Sequence, residues 1–511
     1  MPESHLPSGD LSGSNDFPMD YRSIVHGTAR GVLYATIGQT LLLLVGLLGG
    51  VFLARLLTPQ DFGIYAVISF VVLKLNALAE LGLNAKLIHD NESPCLAYQR
   101  SVFTLHCLIA LTVYAIVYLL APWFVRLFQL GDVTFCRTVG LIILIQPFCT
   151  IPIALLSRQL RYDSLTLAEL VDGIIYQAIA VTLAFLNFSY WSFGIAALLS
   201  TVGRSLFLNV SFPWCIGLAL DTAYLRRCAR FGGTFQLSSL TAVARDNIVT
   251  FLGAPLFGPA AVGLLNWSLR LAWICSQTYV AICARIAFPS LSLMRSDPRL
   301  FGSVLTKMLR YLNLATLLTL SVVTALAPEI VHLVYTDKWL PAIPLFYYFA
   351  LRMVAGNYTT LLDLGIKAQG HPERSLRILS LWTVWEWAFA LVSVAMFGYV
   401  GIAISAAVGI WFALICLYRE VSRVASINLW RVSATPSLCG GVTFLSLYWG
   451  KGERIDSLPL LGLAMIAGAL IYVFMGILVE GRRFWADIKA DLAILLSGRK
   501  TPVPSAIGTA D

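Results

Sequence analysis

Charged residues are scarce in this chain. Only 12% of its 511 residues are Asp, Glu, Lys or Arg, whereas 58% are hydrophobic. A soluble domain with so few charges would not stay in solution, so the composition excludes an ordinary soluble protein and is typical of a polytopic membrane protein. The apolar runs are continuous and long enough to cross a bilayer, which favours helical spans over a barrel of alternating strands.

Signatures of energy conversion and metal binding are also missing. No Walker GxxxxGK[ST] motif occurs, and the sequence offers no soluble domain that could contain one. The ten cysteines are scattered, with no CxxC pair and no histidine cluster beside them, which argues against a disulfide framework and a zinc site. The polar first 20 residues lack the basic and apolar regions of a cleavable signal peptide and are interpreted as a disordered cytoplasmic tail. We therefore predict no cofactor and no metal.

The apolar runs predict about fourteen membrane spans. The seventh is weak because it contains Arg245 and Asp246, and the thirteenth is short. Of the Lys and Arg residues outside the spans, 25 fall on the side of the termini and six on the other side. Because cytoplasmic loops are the basic ones, we predict that both termini are cytoplasmic. The net charge of +9 then reflects topology and contact with anionic lipids, not a nucleic-acid partner.

One short motif occurs twice, about 200 residues apart. The stretch "FLARLLTPQDFGIYAV" (Phe52 to Val67) is echoed by "FLGAPLFGPAAVGLLN" (Phe251 to Asn266), with prolines and glycines in register. A further proline match, Pro122 with Pro328, follows at the end of the third span of each half. Each half then carries six spans in the same order. Because six is even, the halves are predicted to be parallel repeats related by an axis along the membrane normal.

This repeat divides the chain and predicts an all-α polytopic fold. Two six-helix lobes would enclose a central cavity, and they could rock to open it to either side. The basic C-terminal tail carries an apolar helical face, which fits either the membrane surface or packing against the bundle. The predicted divisions are the tail 1–20, the N-terminal lobe 21–220, the C-terminal lobe 221–430, an extra transmembrane hairpin 431–480 and the cytoplasmic amphipathic tail 481–511.

Several cations fall deep inside predicted spans, where a charge costs about 2.5–3.5 kcal/mol on insertion scales. Lys74 corresponds to position 274 of the second half, and Arg270 lies one helical turn earlier on the same face. Such cations, facing a shared cavity, would attract an anion, and the planar fork of arginine suits phosphate. The predicted cavity cations are Lys74, Arg204, Arg245, Arg270 and Arg352. Structural ion pairing is the alternative, with Arg245 paired locally or Glu386 neutralising one arginine.

Carboxylates that could couple transport to an ion gradient are few. Asp246, Glu386 and Asp363 are the candidates, and their pattern does not separate H⁺ from Na⁺. Glu80, Glu169, Asp172 and also Asp363 lie toward cytoplasmic ends of spans, and an interfacial or structural role is the interpretation for all four.

The first copy of the motif carries a family resemblance. The segment "ARLLTPQDFGIYAVISFVVLKLNALAELGLNAKLI" (Ala54 to Ile88) closely resembles the first hairpin of Wzx-like polysaccharide flippases. These belong to the polysaccharide-transporter branch of the multidrug/oligosaccharidyl-lipid/polysaccharide (MOP) exporter superfamily. The second-half segment "ARDNIVTFLGAPLFGPAAVGLLNWSLRL" (Ala244 to Leu271) resembles the seventh and eighth spans of that family. The similarity extends over about residues 25 to 430.

This resemblance implies a transport function in the bacterial cytoplasmic membrane. The expected cargo is a lipid-linked oligosaccharide, usually on undecaprenyl diphosphate, moved to the outer leaflet for exopolysaccharide, O-antigen or capsule synthesis. A polysaccharide polymerase and chain-length or export proteins are possible protein partners.

Three other functions stay open. A multidrug exporter of the same superfamily should carry more acids than bases at mid-membrane, because its cargo is typically cationic. A peptidoglycan-precursor flippase would differ only in its glycan. A glycan polymerase or ligase would need a large outer loop, which the sequence does not offer, so we expect no enzyme.

Overall fold

The computed structural model of the chain describes residues 21–80, 96–159, 161–219, 247–450 and 455–481, and every regular element in these ranges is helical. The longer helices, in chain order, are α1 (Tyr21–Leu56), α2 (Pro59–Glu80), α3 (Leu96–Leu127), α4 (Val133–Gly140), α5 (Ile142–Arg158), α6 (Tyr162–Phe185), α7 (Trp191–Ser211), α8 (Ile248–Leu293), α9 (Pro298–Ala325), α10 (Ala327–Ile330), α11 (Ile343–Ala368), α12 (Pro372–Phe397), α13 (Val400–Val421), α14 (Leu429–Gly450) and α15 (Leu458–Glu480). A π-helical turn (Val331–Tyr335) and a 3-10 helix (Asp337–Ala342) join α10 to α11.

These helices form two lobes and a hairpin. The N-lobe comprises α1 to α7, the C-lobe comprises α8 to α13, and the hairpin of α14 and α15 packs on α9. Ten helical segments within the described ranges are long and apolar enough to cross a membrane. The predicted all-α, two-lobe fold is thus confirmed, while the count of fourteen spans stays a prediction. The predictions for Arg245, Asp246 and both chain termini lie outside the described residues.

The start of α2 explains the "TPQD" of the first motif copy. Thr58 is the N-cap, Pro59 occupies the first helical position, and Asp61 reaches back to accept a hydrogen bond from the Thr58 amide at 2.8 Å. The Thr58 hydroxyl in turn accepts from the amide of Asp61 at 3.3 Å. This reciprocal capping box satisfies amides at the helix end, and proline loses nothing at a position without an intrahelical partner. Asp61 also accepts from the Ser189 hydroxyl, which ties the cap to the turn before α7.

The second copy turns the chain with a single residue. Gly258 has φ 77° and ψ 175° inside the otherwise helical run of α8. Side chains disfavour this conformation, so glycine is needed here. The sequence predicted two spans on either side of this point, and the structure joins them through a one-residue break before Pro259.

The two motif copies contact each other. A Cβ built on Gly63 would lie 1.7 Å from the carbonyl oxygen of Pro259, and one built on Gly263 would lie 1.8 Å from that of Pro59. Each glycine therefore packs directly on the backbone of the other copy's proline. This reciprocal crossing of α2 and α8 is what two parallel repeats facing each other across a two-fold axis would produce. We call this region of the bundle the Pro–Gly end.

A proline-kinked helix forms one wall of the N-lobe. Pro147 and Pro152 both lie inside α5. Pro152 cannot donate to the carbonyl of Phe148 four residues earlier. The Asn209 side-chain amide of α7 donates to that carbonyl at 2.9 Å instead, and the Trp214 indole donates to the Asn209 oxygen at 2.9 Å. The freed backbone group is thus satisfied within the bundle, as a nonaqueous interior requires.

Candidate functional site: a sealed interlobe cavity

Hydrogen bonds close the interface between the lobes at the Pro–Gly end. The Arg55 guanidinium of α1 donates to the Val334 carbonyl at 2.8 Å. The Lys338 ammonium donates back to the Arg55 carbonyl at 2.7 Å, and the Trp339 indole donates to the Ala54 carbonyl at 2.9 Å. Burial lowers the pKa of Lys338. The end of α1 is therefore hydrogen-bonded to the segment between α10 and α11 of the C-lobe.

A matching contact joins the lobes in the opposite sense. The Gln129 side chain, just after α3, donates to the Pro255 carbonyl at 3.0 Å. This is the carbonyl that Pro259, four residues later, leaves without a helical donor. In the first contact α1 meets the segment after α9 and α10, and in the second the start of α8 meets the segment after α3. The polar contacts thus follow the same two-fold relation as the crossing.

Aromatic rings fill the space beside the crossing. Trp339 is fully buried, with its ring stacked on Trp267 at 4.9 Å between centroids and edge-on to Phe62 at 5.1 Å. Phe62 also meets Phe193 edge-to-face at 4.9 Å. These rings come from both lobes and exclude water well, because aromatic side chains bury large apolar areas. Together with the crossing and its hydrogen bonds they form what we call the seal.

Beside the seal lie three adjoining cavities, and Gly46 of α1 lines all of them. The interlobe cavity, of about 310 Å³, lies between α1 and α8. The apical cavity, of about 120 Å³, lies next to the aromatic rings of the seal. The N-lobe cavity, of about 340 Å³, lies among α1, α2, α5, α6 and α7. The largest two are within the usual range of small-molecule sites, about 300–1,000 Å³.

The interlobe cavity is positively charged. Its polar lining consists of Gln39, Thr40, Arg270, Gln277, Thr278 and Arg285. None of the described residues that line it is acidic. Arg270 also lines the apical cavity, together with Trp267 and Tyr335. One arginine therefore faces two cavities, and an anion in either would be attracted to it.

The N-lobe cavity is lined by side chains of both charge signs. Its polar lining consists of Tyr65, Ser69, Gln146, Asp172, Tyr176, Gln177, Ser200, Thr201 and Arg204. Arg204 and Asp172 approach to 3.8 Å, which is an ion pair but longer than a hydrogen bond. The pair leaves Arg204 Nε and Asp172 Oδ1 buried without a hydrogen-bond partner.

The remaining predicted cations lie elsewhere. Arg352 of α11 donates to Glu386 of α12 at 3.0 Å, and the two side chains are 19% and 1% exposed. This is the ion pair that the sequence left open as an alternative, and Arg352 lines none of the three cavities. Lys74 is half-buried on α2 and likewise lines none of them. The structure thus brings Arg270 and Arg204 to these adjoining cavities and leaves Lys74 and Arg352 outside.

The candidate coupling carboxylates are engaged in local pairs where they are described. Glu386 binds Arg352, as above. Asp363 accepts from Lys367 at 2.6 Å and from the Ser375 hydroxyl. Asp246 lies outside the described residues.

Sequence reasoning missed several cavity residues. Arg285 is not among the predicted cavity cations, but α8 continues to Leu293, and Arg285 lines the same cavity as Arg270. Asp172, interpreted as interfacial or structural, pairs with Arg204, which fits the structural interpretation, and it also lines the N-lobe cavity. A continued helical spacing after Arg270 could have signalled Arg285. No local signal distinguishes Asp172 from a carboxylate at the membrane interface.

Two helical lobes, with one cavity between them and others beside it, define the chain as a multi-pass membrane protein. Residues 52–344 match the family model described as polysaccharide biosynthesis protein, which covers more than half of the chain. The chain belongs to this family. Its relatives include an uncharacterized membrane protein in the cps region of Klebsiella pneumoniae, 23% identical over 66% of this chain and 70% of that protein. The lipopolysaccharide biosynthesis protein WzxC of Escherichia coli K12 is 20% identical over 63% of this chain and 66% of that protein.

Solved structures share the fold. The lipid II flippase MurJ, in an inward closed conformation, superposes with a TM-score of 0.72 at 14% identity, over 88% of this chain and 99% of MurJ. An inward-facing multidrug resistance MATE transporter of the MOP superfamily gives a TM-score of 0.60 at 15% identity, over 77% of this chain and 98% of that one. The predicted relation to Wzx-like polysaccharide proteins is confirmed by the family match, and the fold is the one seen in these flippase and multidrug-transporter structures.

Proposed function

We propose that the protein flips undecaprenyl-diphosphate-linked oligosaccharide repeat units across the bacterial cytoplasmic membrane for the synthesis of exopolysaccharide, O-antigen or capsule. The observation that carries this proposal is the interlobe cavity in which Arg270 and Arg285 lie on one helix and none of the described lining residues is acidic. A diphosphate headgroup is a bulky anion, and arginine can bind two of its oxygens at once. A cationic drug would be repelled from the same space, which disfavours the multidrug alternative.

The seal supports an alternating-access cycle. In the present conformation the lobes are closed at the Pro–Gly end, and the charge bias of the loops assigns this end to the periplasmic side. The headgroup would enter the interlobe cavity from the cytoplasmic leaflet while the lipid chain stays in the bilayer. Rocking of the lobes would then break the seal and expose the headgroup to the other leaflet.

The test is a strain that lacks the protein and therefore accumulates its lipid-linked oligosaccharide on the inner leaflet. Wild-type protein should clear this lipid and restore the surface polysaccharide, whereas Arg270→Gln should restore less than about a tenth, since a charged hydrogen bond contributes about 1.5–3 kcal/mol. Arg126→Gln, which removes the same charge from an exposed site outside the cavities, is the matched control. Equal amounts of each variant in the membrane fraction must be verified by immunoblot.

Two outcomes would contradict the proposal. Full restoration by Arg270→Gln would show that the cation of the interlobe cavity is not needed for transport. A strain with normal lipid-linked oligosaccharide but increased sensitivity to cationic drugs would favour the multidrug function instead.

A further inference from the structure

Four residues that line the N-lobe cavity each carry an unsatisfied polar atom. Ser69 Oγ, Asp172 Oδ1, Gln177 Oε1 and Arg204 Nε are buried without a hydrogen-bond partner. A buried polar group without a partner is costly. A polar ligand in the cavity would satisfy these side chains once they turn toward it, so the lining favours a polar ligand.

The mixture of donors and acceptors limits what that ligand can be. Arg204 Nε can only donate a hydrogen bond. The Gln177 amide oxygen and the ionised Asp172 carboxylate can only accept one, whereas the Ser69 hydroxyl can do both. A metal cation would satisfy the acceptors and repel the arginine. A phosphate would satisfy Arg204 and be repelled by Asp172. Hydroxyl and acetamido groups both donate and accept, so a sugar can satisfy the whole set.

The rest of the lining agrees with a sugar ligand. Gln146, Ser200 and Thr201 add further neutral hydrogen-bonding groups, and Tyr65 and Tyr176 add aromatic surface to the lining. Small-molecule sites typically combine an apolar or aromatic lining with a few convergent polar groups. The two tyrosines also line the apical cavity, so the N-lobe cavity adjoins the space that Arg270 faces.

We propose that the N-lobe cavity is a glycan subsite that binds hydroxyl or acetamido groups of the sugars next to the diphosphate. This inference rests on the proposed function, because it divides one substrate between two compartments. The diphosphate lies near Arg270 and the first sugars lie among α2, α5, α6 and α7. Selection among glycans would then reside in the N-lobe, whereas the interlobe cavity would accept any diphosphate-linked cargo.

Binding to two lipids that differ only in the glycan tests this division. The probes are undecaprenyl diphosphate and the same lipid carrying the repeat unit, isolated from cells that lack the protein. Purified full-length protein in lipid nanodiscs should bind the glycosylated lipid at least about tenfold more tightly. The double variant Ser69→Ala/Gln177→Leu should lose this preference and keep its affinity for undecaprenyl diphosphate, which also shows that it is folded.

Two further variants separate the compartments. Arg270→Gln should weaken the binding of both lipids by a similar factor. Ser292→Ala/Gln60→Leu makes the same chemical changes at positions outside the three cavities and should behave as wild type.

The outcomes distinguish the two proposals. Equal binding of both lipids by wild-type protein, or an unchanged preference in the Ser69/Gln177 variant, would mean that the cavity holds only water and would overturn the subsite. Failure of wild-type protein to bind either lipid would instead overturn the proposed function.

Discussion

The crossing of α2 and α8 gives a sharp test of how the lobes close. We predict that Gly63→Ala disfavours the sealed conformation, because the added methyl group would lie 1.7 Å from the carbonyl oxygen of Pro259. A relaxed carbon–oxygen contact is about 3.3 Å or longer, so the two helices would have to separate by roughly 1.5 Å. The obstructing atoms belong to the backbone, so no side-chain rotation can relieve the clash.

The size of the effect follows from overpacking. Inserting a methyl group into a tight contact typically costs about 1–3 kcal/mol, which corresponds to roughly a 5- to 150-fold change in a conformational equilibrium. This cost falls only on the conformation in which the helices cross closely. The gain in helix propensity on replacing glycine by alanine, about 0.5–1 kcal/mol, applies to both conformations and cancels. The ratio of sealed to unsealed molecules should therefore fall by about 5- to 150-fold.

Distance measurements by electron paramagnetic resonance can detect this shift. Spin labels at Gln60 and Leu340, both exposed near the seal and one in each lobe, would be introduced into a variant without the native cysteines. Gly63→Ala should add a longer-distance population and change the transport rate. Gly356→Ala is the matched control, because a Cβ at this helical position meets nothing within 4 Å. Identical distance distributions for the two variants would refute the proposed role of the crossing.

Three other substitutions test contacts described above. Arg352→Gln should lower the stability by about 3–5 kcal/mol, because the Glu386 carboxylate loses the cation it is paired with. Arg352→Met/Glu386→Leu, which removes both charges, should be close to wild type in a melting assay in detergent. Equal melting temperatures for the two variants would contradict a stabilising role of this ion pair. Asn209→Leu should cost about 1–3 kcal/mol in the same assay, since the Phe148 carbonyl loses its donor, and an unchanged melting temperature would show another donor. Gln129→Ala should weaken the seal without a change in lipid affinity, measured with the spin labels above, and an unaltered distance distribution would argue against that role.

The fold was largely predictable because its signals are local or periodic. Apolar run lengths gave the helices, and prolines and glycines in a constant register gave the two like-oriented lobes. The contact between the copies was not predictable from the same match. A repeat indicates that two segments are alike, whereas Gly63 and Pro259 meet only because of how the lobes pack.

The candidate site was only partly predictable, because a cavity depends on helix rotation and length. Lys74 and Arg270 lie at similar depths in equivalent spans, yet only Arg270 lines the described cavities. Helix length mattered for Arg285, which a span ending near residue 283 would place in a loop. The partner of Arg352 is Glu386 on the next helix, 34 residues away. Whether Arg352 pairs with it or faces a cavity depends on how the two helices pack.

The crossing also bears on how such a chain could arise. Two separate, identical lobes would meet there as a homodimer with a self-complementary interface, and any substitution would alter both halves of the contact at once. Gene duplication and fusion remove that constraint. The first copy here has the capping box of Thr58 and Asp61, while the second has the backbone break at Gly258. A fused chain can therefore adjust the two halves of its closure independently, which no symmetric pair of lobes could do.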